Sequence, residues 1–364
     1  MKAVVIARPG GAEVLEVREV EDPAVGDDEV LIKVEAAALN RADTLQRMGL
    51  HPPPAGASSY PGLECSGTIL ALGRSVVGSR WKIGDRVCAL LSGGGYAEKV
   101  AVPAGQVLPV PEGVSLRDAA SFPEVACTVW STIFMTSRLS PGESLLLEYC
   151  YSGSRGSSGI GTFAIQIAKH LGIRVFVTAG LTLLNSNDQN FHACLVTNRR
   201  RYIRILLIYQ EAKKKLAACK NLGADTCFNY KTEDFVARVK EETGGKGVDV
   251  ILDNIGASYL QRNLDSLSVD GRLFIIGLQG GRVTEVNLSC LLARRLTIQA
   301  AGLRNRTPEN KAIIVSEVEK HVWPAIAAGK VKPVIHKAFP LSEVVEAHRL
   351  MESSAHIGKI LLIP

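Results

Sequence analysis

The chain has 364 residues, 46% hydrophobic and 21% charged, the size and balance of two domains with apolar cores. Its net charge of +6 and pI near 8.8 suit an anionic cofactor but are too diffuse for a nucleic-acid surface. No apolar run reaches about 18 residues and the start lacks a signal-peptide pattern, so neither a membrane span nor secretion is expected.

In chain order, residues 2–6, 29–37, 67–72, 86–91 and 96–102 read as short strands. Turns rich in proline and glycine separate them, at 9–11, 52–54 and 92–95, which is the pattern of a small β-barrel. After about residue 125 strands and helices alternate. Residues 144–147, 174–178, 226–230, 248–253, 271–277 and 296–300 are expected strands, and 162–171, 212–222 and 232–242 are expected helices. That alternation means a parallel sheet covered on both faces. The end returns to the first style, with one long helix at 309–328, a shorter one at 342–352 and a last strand at 358–363. An α/β domain is thus expected inside a β domain, with 1–125 and 311–364 forming one and 126–310 the other.

Eight cysteines occur without C-x-x-C spacing, so neither a zinc knuckle nor a dithiol motif is expected. They read as reduced thiols of a cytoplasmic protein. The run Gly156-Ser157-Ser158-Gly159-Ile160-Gly161 lies between a strand and a helix. There glycines let a pyrophosphate approach the backbone and the helix start donates N–H groups; an ordinary glycine-rich turn has the same composition. The second strand of the α/β domain ends in Ala179-Gly180 with no acidic residue. An acidic residue there would hold the ribose hydroxyl of NAD, so its lack favours NADP. Lys213, Lys214 and Lys215 with Tyr230 suit a 2′-phosphate, although a solvated basic helix face looks alike.

Further stretches carry a family resemblance. They are Leu39-Asn40-Arg41-Ala42-Asp43 with Gln46, Pro61 to Gly67, Trp81 to Asp85, Gly94 to Ala97, Asn229-Tyr230, Asp253 to Gly256, Gly271 to Leu273 and Gly358-Lys359-Ile360. In combination and order they resemble the zinc-free quinone oxidoreductases (zeta-crystallin-like) of the medium-chain dehydrogenase/reductase superfamily. The closest likeness is to the group carrying Asn-Arg-Ala-Asp near the N-terminus. The resemblance implies a GroES-like β-barrel domain plus a Rossmann doubly wound parallel-sheet domain, with NADPH in the cleft between them. Asn40 and Thr128 would touch the nicotinamide ribose region; Gly159 and Ile160 would sit on the pyrophosphate, with Ser158, Gly161 and Gly180 also at the cofactor; Lys215 and Tyr230 would hold the 2′-phosphate. Asn254, Gly277 and Leu303 would line the nicotinamide side, and Lys359 would close the cleft. Asn40 and Asn254 also suit turns. No metal is expected: zinc-dependent relatives have Cys at the place of Asn40 and His at that of Leu63, and leucine cannot ligate.

The implied reaction is hydride transfer from NADPH to quinones or related activated carbonyl or enone compounds, with the protein supplying proximity and orientation. Arg41, Gln46 and His51, with Asn40, are the residues placed to contact a carbonyl oxygen; His51 equally suits a surface proline loop. An enoyl or alkenal double-bond reductase is the near alternative. A homodimer or homotetramer through the strand at 296–300 is implied as well.

Two stretches break the pattern. Residues 148–155 add several residues between strand and glycine loop, and Glu148 puts a charge at the end of a buried strand, costly unless paired. Residues 181–210 insert about thirty residues where relatives turn directly into a helix, an unusual length for such a unit, and read as foreign to the fold. Their basic run Arg199-Arg200-Arg201 is an incidental charge run rather than a nucleic-acid site. A catalytically impaired chain acting as a structural or RNA-binding protein is the alternative from another class.

Overall fold

Val30, Ile32, Val34 and Ala36 leave every second position of one segment apolar, so an extended chain there has a face that must be covered. In the computed structural model, which describes residues 1–148, 158–179, 213–230 and 232–364, that segment is a buried strand. The described strands are β1 (Lys2–Ile6), β2 (Leu15–Glu19), β3 (Glu29–Ala38), β4 (Glu64–Leu72), β5 (Arg86–Leu90), β6 (Lys99–Pro103), β7 (Val107–Pro109), β8 (Ser144–Glu148), β9 (Arg174–Ala179), β10 (Thr226–Asn229), β11 (Val248–Asp253), β12 (Leu267–Ile275), β13 (Thr297–Ala300), β14 (Ile335–Pro340) and β15 (Lys359–Ile363). The chain divides into two compact units. Met1–Ser131 with Gly302–Pro364 forms the first, and Thr132–Ala301 the second.

The first unit holds a sheet in the order β14-β15-β3-β4-β5-β7, with β6 also paired to β3, and a separate β1-β2 hairpin. All its pairs are antiparallel except β14 with β15. Its core gathers Val30, Ile32, Ile69, Val87, Tyr96 and Ile360. At Gly67 the backbone of β3 comes so close that a Cβ would lie 1.9 Å from the Lys33 carbonyl oxygen; glycine is what lets these strands cross there.

The described strands of the second unit form a six-stranded parallel sheet in the order β10-β9-β8-β11-β12-β13. Counted from its own first strand this is 3-2-1-4-5-6, the doubly wound dinucleotide-binding order. Ser144–Glu148 is buried throughout, as a central strand with covered faces must be. Phe176 and Phe228 stack at 6.0 Å in the core beside it. The helix Gly159–His170 begins at Ser158, whose hydroxyl accepts from the Gly161 N–H at 3.2 Å. The helix at 213–221 and its three lysines are described, with Lys215 buried and Lys213 and Lys214 exposed.

Two expectations need correction, and Glu148 is as costly a position as its place in a buried strand implies. The helix expected at 309–328 is two, Pro308–His321 and Trp323–Ala327. Pro324 has no N–H for the carbonyl four residues back, and its ring crowds that carbonyl. The strand expected at 96–102 begins only at Lys99, because Tyr96 turns its N–H to the Pro61 carbonyl instead. Glu148 forms no ion pair among the described residues: in register β8 sets it beside Asp253 of β11, and burial, then that carboxylate, raises its pKa well above the usual range against the more distant Arg262 charge. Asp253 accepts the N–H groups of Ile255 at 2.6 Å and Gly256 at 3.0 Å. Asp253 is therefore the ionised partner and Glu148 holds the proton. Gly180 and the insertion 181–210, with most of 148–155, lie outside the described residues.

Candidate functional site

The first unit builds its polar centre on the turn from β3 into the helix Arg41–Arg47. Asn40 precedes that helix in extended conformation, and the Asp43 carboxylate accepts its backbone N–H at 2.8 Å. This reach from the third helical residue back to the cap fixes the chain entering the helix. Asp43 also accepts the Gly62 N–H at 3.0 Å and the Tyr96 hydroxyl at 3.1 Å, so it ties three separate segments. Burial raises its pKa to about 6 against those hydrogen bonds.

The Asn40 side chain also reaches away from the turn. Its Nδ2 donates to Glu64 Oε1 at 2.9 Å and to the Ala38 carbonyl at 3.3 Å. Its Oδ1 accepts from Lys359 Nζ at 2.8 Å, and the same ammonium donates to Glu64 Oε1 at 2.5 Å. Turning the amide over would face oxygen to carboxylate and NH2 to ammonium, so the two charges set its orientation. Glu64 Oε2 accepts the Glu124 N–H at 2.9 Å, and Glu124 Oε1 accepts the Thr128 hydroxyl at 2.9 Å. Burial and the neighbouring Glu64 raise the Glu124 pKa, while Lys359 opposes them. Three expected residues, Asn40, Thr128 and Lys359, thus meet in one network. Its organisers, Glu64 and Glu124, carry no local signature of that role beyond their place in the motifs.

A second cluster surrounds Arg304, which sequence reasoning passed over in favour of its half-buried neighbour Leu303. The Arg304 guanidinium donates to the Ser92 carbonyl at 2.9 Å, the His51 carbonyl at 3.1 Å and Gln46 Oε1 at 2.7 Å. Gln46 Nε2 donates to the Ser59 carbonyl at 2.9 Å, so both ends of that amide are occupied. Burial and Arg304 hold the His51 imidazole below its ordinary pKa. Arg41 lies apart from this cluster, its Nη1 buried with no acceptor among the described residues.

In the second unit Ser158, Gly159, Ile160 and Gly161 form the helix start after β8. Among the described residues the N–H groups of Gly159 and Ile160 meet no acceptor, as expected of an open helix terminus. Asn254 Oδ1, just beyond β11, is buried without a partner among the described residues, and a Cβ at Gly277 would lie 2.8 Å from the Asn254 carbonyl. Free donors at a helix start and an orphaned acceptor suit a phosphorylated, hydroxyl-bearing ligand. Tyr230 is buried with its ring edge to Tyr259 at 6.4 Å, and Lys215 is 1% exposed, so that lysine does not belong to a solvated helix face.

Zinc does not fit the first unit. Among the described residues no group of three His, Cys, Asp or Glu could hold a metal. At Asn40 and Glu64 an ammonium already stands against the carboxylate, and Leu63 offers no donor atom.

Residues 26–112 match the family described as alcohol dehydrogenase GroES-like domain, and residues 222–362 match the one described as zinc-binding dehydrogenase. The chain is 30% identical to the quinone oxidoreductase of Rattus norvegicus over 370 residues, covering all of this chain and 98% of that one. It is also 30% identical to quinone oxidoreductase 1 of Escherichia coli, covering 98% and 97%. It is 28% identical to a phenolphthiocerol/phthiocerol polyketide synthase subunit of Mycobacterium tuberculosis, but spans only 14% of that protein's length. The solved Escherichia coli quinone oxidoreductase complexed with NADPH superposes with a TM-score of 0.79 at 27% identity, covering both chains fully. The full-length identity, the two domain matches and the fold together show that this chain belongs to the quinone oxidoreductases of the medium-chain dehydrogenase/reductase superfamily.

Proposed function

We propose that this chain binds NADPH and reduces quinones, or related activated carbonyl and enone compounds, without a metal. The buried Asn40–Lys359–Glu64 network carries this reading. With an ammonium standing against the carboxylate, these residues offer no metal-ligand set, which suits a substrate that is already electrophilic. NADPH is supported by its presence in the similar Escherichia coli structure and by the end of β9, where Thr178 and Ala179 offer no carboxylate. Bound there, NADPH supplies the hydride. The Gly159 and Ile160 N–H groups would hold its phosphates, Lys215 and Tyr230 the 2′-phosphate, and Asn254 the nicotinamide side. Asn40 and Thr128, locked by Glu64, Lys359 and Glu124, would orient the ribose region, and the residues about Arg304 would position substrate. We also propose that the chain self-associates through β13, the exposed edge of its sheet.

The test is a fluorescence titration of the folded full chain with NADPH and with NADH. NADPH binding tighter than NADH supports the reading, and no binding to either cofactor sinks it. The match to polyketide synthases over 98% of this chain favours double-bond reduction as a second reading. Turnover on a naphthoquinone against an alkenal or enoyl thioester separates the two.

A further inference from the structure

The ammonium of Lys359 has three hydrogens, and two are taken by Asn40 Oδ1 and Glu64 Oε1. Among the described residues the third meets no acceptor. Lys359 is 4% exposed and Asn40 8%, whereas Glu64 is 0% exposed. All three groups are buried, the carboxylate completely. Asn40 has no donor left, since both Nδ2 hydrogens are used, and keeps one lone pair on Oδ1. The network thus holds one charged donor with a hydrogen to spare among the described residues. A lysine bound by a single surface carboxylate would swing freely; two buried partners 295 and 319 residues away in the chain hold this one in place.

We propose that Lys359 is a catalytic residue: its free N–H bonds the carbonyl oxygen of the quinone or enone substrate and then gives that oxygen its proton. This deepens the reductase reading and rests on it. In the step, the substrate gains a hydride from the reduced nicotinamide, the C=O π pair moves to oxygen, an N–H bond of Lys359 breaks and an O–H bond forms. The amine left behind regains its proton from water. A buried ammonium held by two partners would stabilise developing oxyanion charge without rearranging, the condition under which one donor matters most. Glu64 and Asn40 are positioning residues for it.

The experiment needs no cofactor. 4-Nitrophenol, whose phenolate has its own visible absorbance, mimics the charged oxygen. Titrated into the full chain, it should bind as the phenolate. Lys359→Met should abolish that binding, and Lys359→Arg should retain it in part. Because Lys359→Met leaves Glu64 facing no cation, Lys359→Met with Glu64→Gln serves as the folded control and should lose the phenolate equally. In turnover, kcat for a quinone should fall about 100-fold, the scale of losing one donor held against the developing charge. Phenolate binding that is absent in the wild type, or equal in all variants, overturns the proposal. Lys359-dependent phenolate binding in a chain that binds no NADPH would uphold the oxygen site and overturn the reductase reading instead.

Discussion

Replacing Asp43 by Asn should remove a pH dependence that the buried carboxylate imposes on the first unit. Asp43 has an ordinary value of 3.8 and a folded value of about 6, the rise being due to burial. A raised folded pKa means the folded state holds the proton more tightly than the unfolded chain does. Its contribution is therefore fully present below about pH 4 and is lost as pH rises through about 6. At about 1.4 kcal/mol per unit, the loss is about 3 kcal/mol. Asparagine keeps the shape and never ionises. Its NH2 must face one of the donors that Asp43 accepts, the Gly62 N–H being the single contact on Oδ1, which costs about 1–3 kcal/mol. The variant should thus be less stable than the wild type at pH 4 by about 1–3 kcal/mol, and the difference should close or reverse by about pH 7. Urea unfolding of both proteins at several pH values reads this directly, and other titrating groups such as His348 cancel in the difference. A gap that stays constant with pH would show that Asp43 ionises as an ordinary carboxylate and that the burial argument is wrong.

The second unit should show a related effect at Glu148, where a protonated carboxyl faces Asp253. Both folded values are raised, so stability falls as pH rises through them; Glu148→Gln should flatten the decline of the thermal midpoint on the alkaline side, and an unchanged slope would contradict the pairing. Gly67→Ala drives a Cβ to within 1.9 Å of the Lys33 carbonyl and should cost about 3 kcal/mol or more in urea unfolding, as a forced backbone shift does. Gly142→Ala, at φ +89° with open space around it, should cost only about 1 kcal/mol, so equal losses at the two sites would refute the steric account. Ile298 lies on the edge strand β13 and is 37% exposed; Ile298→Glu should shift sedimentation toward the monomer, and an unchanged distribution would exclude that edge as an interface.

Much of the site was legible locally and much was not. The helix start at Ser158 to Gly161 follows from glycine and serine between a strand and an apolar helix pattern, a purely local signal. The motif residues Asn40, Thr128 and Lys359 were identifiable only by resemblance, and their partners were not identifiable at all. Glu64 follows a leucine in an apolar stretch, and nothing nearby announces that it faces a lysine 295 residues on. Arg304 likewise reaches Gln46 258 residues away, so no window along the chain contains both. The break at Pro324 was local and should have been read from the proline alone.

The amino-acid sequence by itself determined where the chain is extended, where it coils and where it turns, because hydrophobic period, glycine and proline act over a few residues. It also determined the absence of a metal-ligand set at Asn40 and Leu63, because side-chain chemistry needs no fold to be read. Only the tertiary structure decided the strand order 3-2-1-4-5-6, the meeting of Glu148 with Asp253 and the pinning of Lys359 by Asn40 and Glu64. Those arrangements join residues far apart in the chain, and their energies exist only once strand pairing has brought the groups together and burial has removed the water that would otherwise serve each of them.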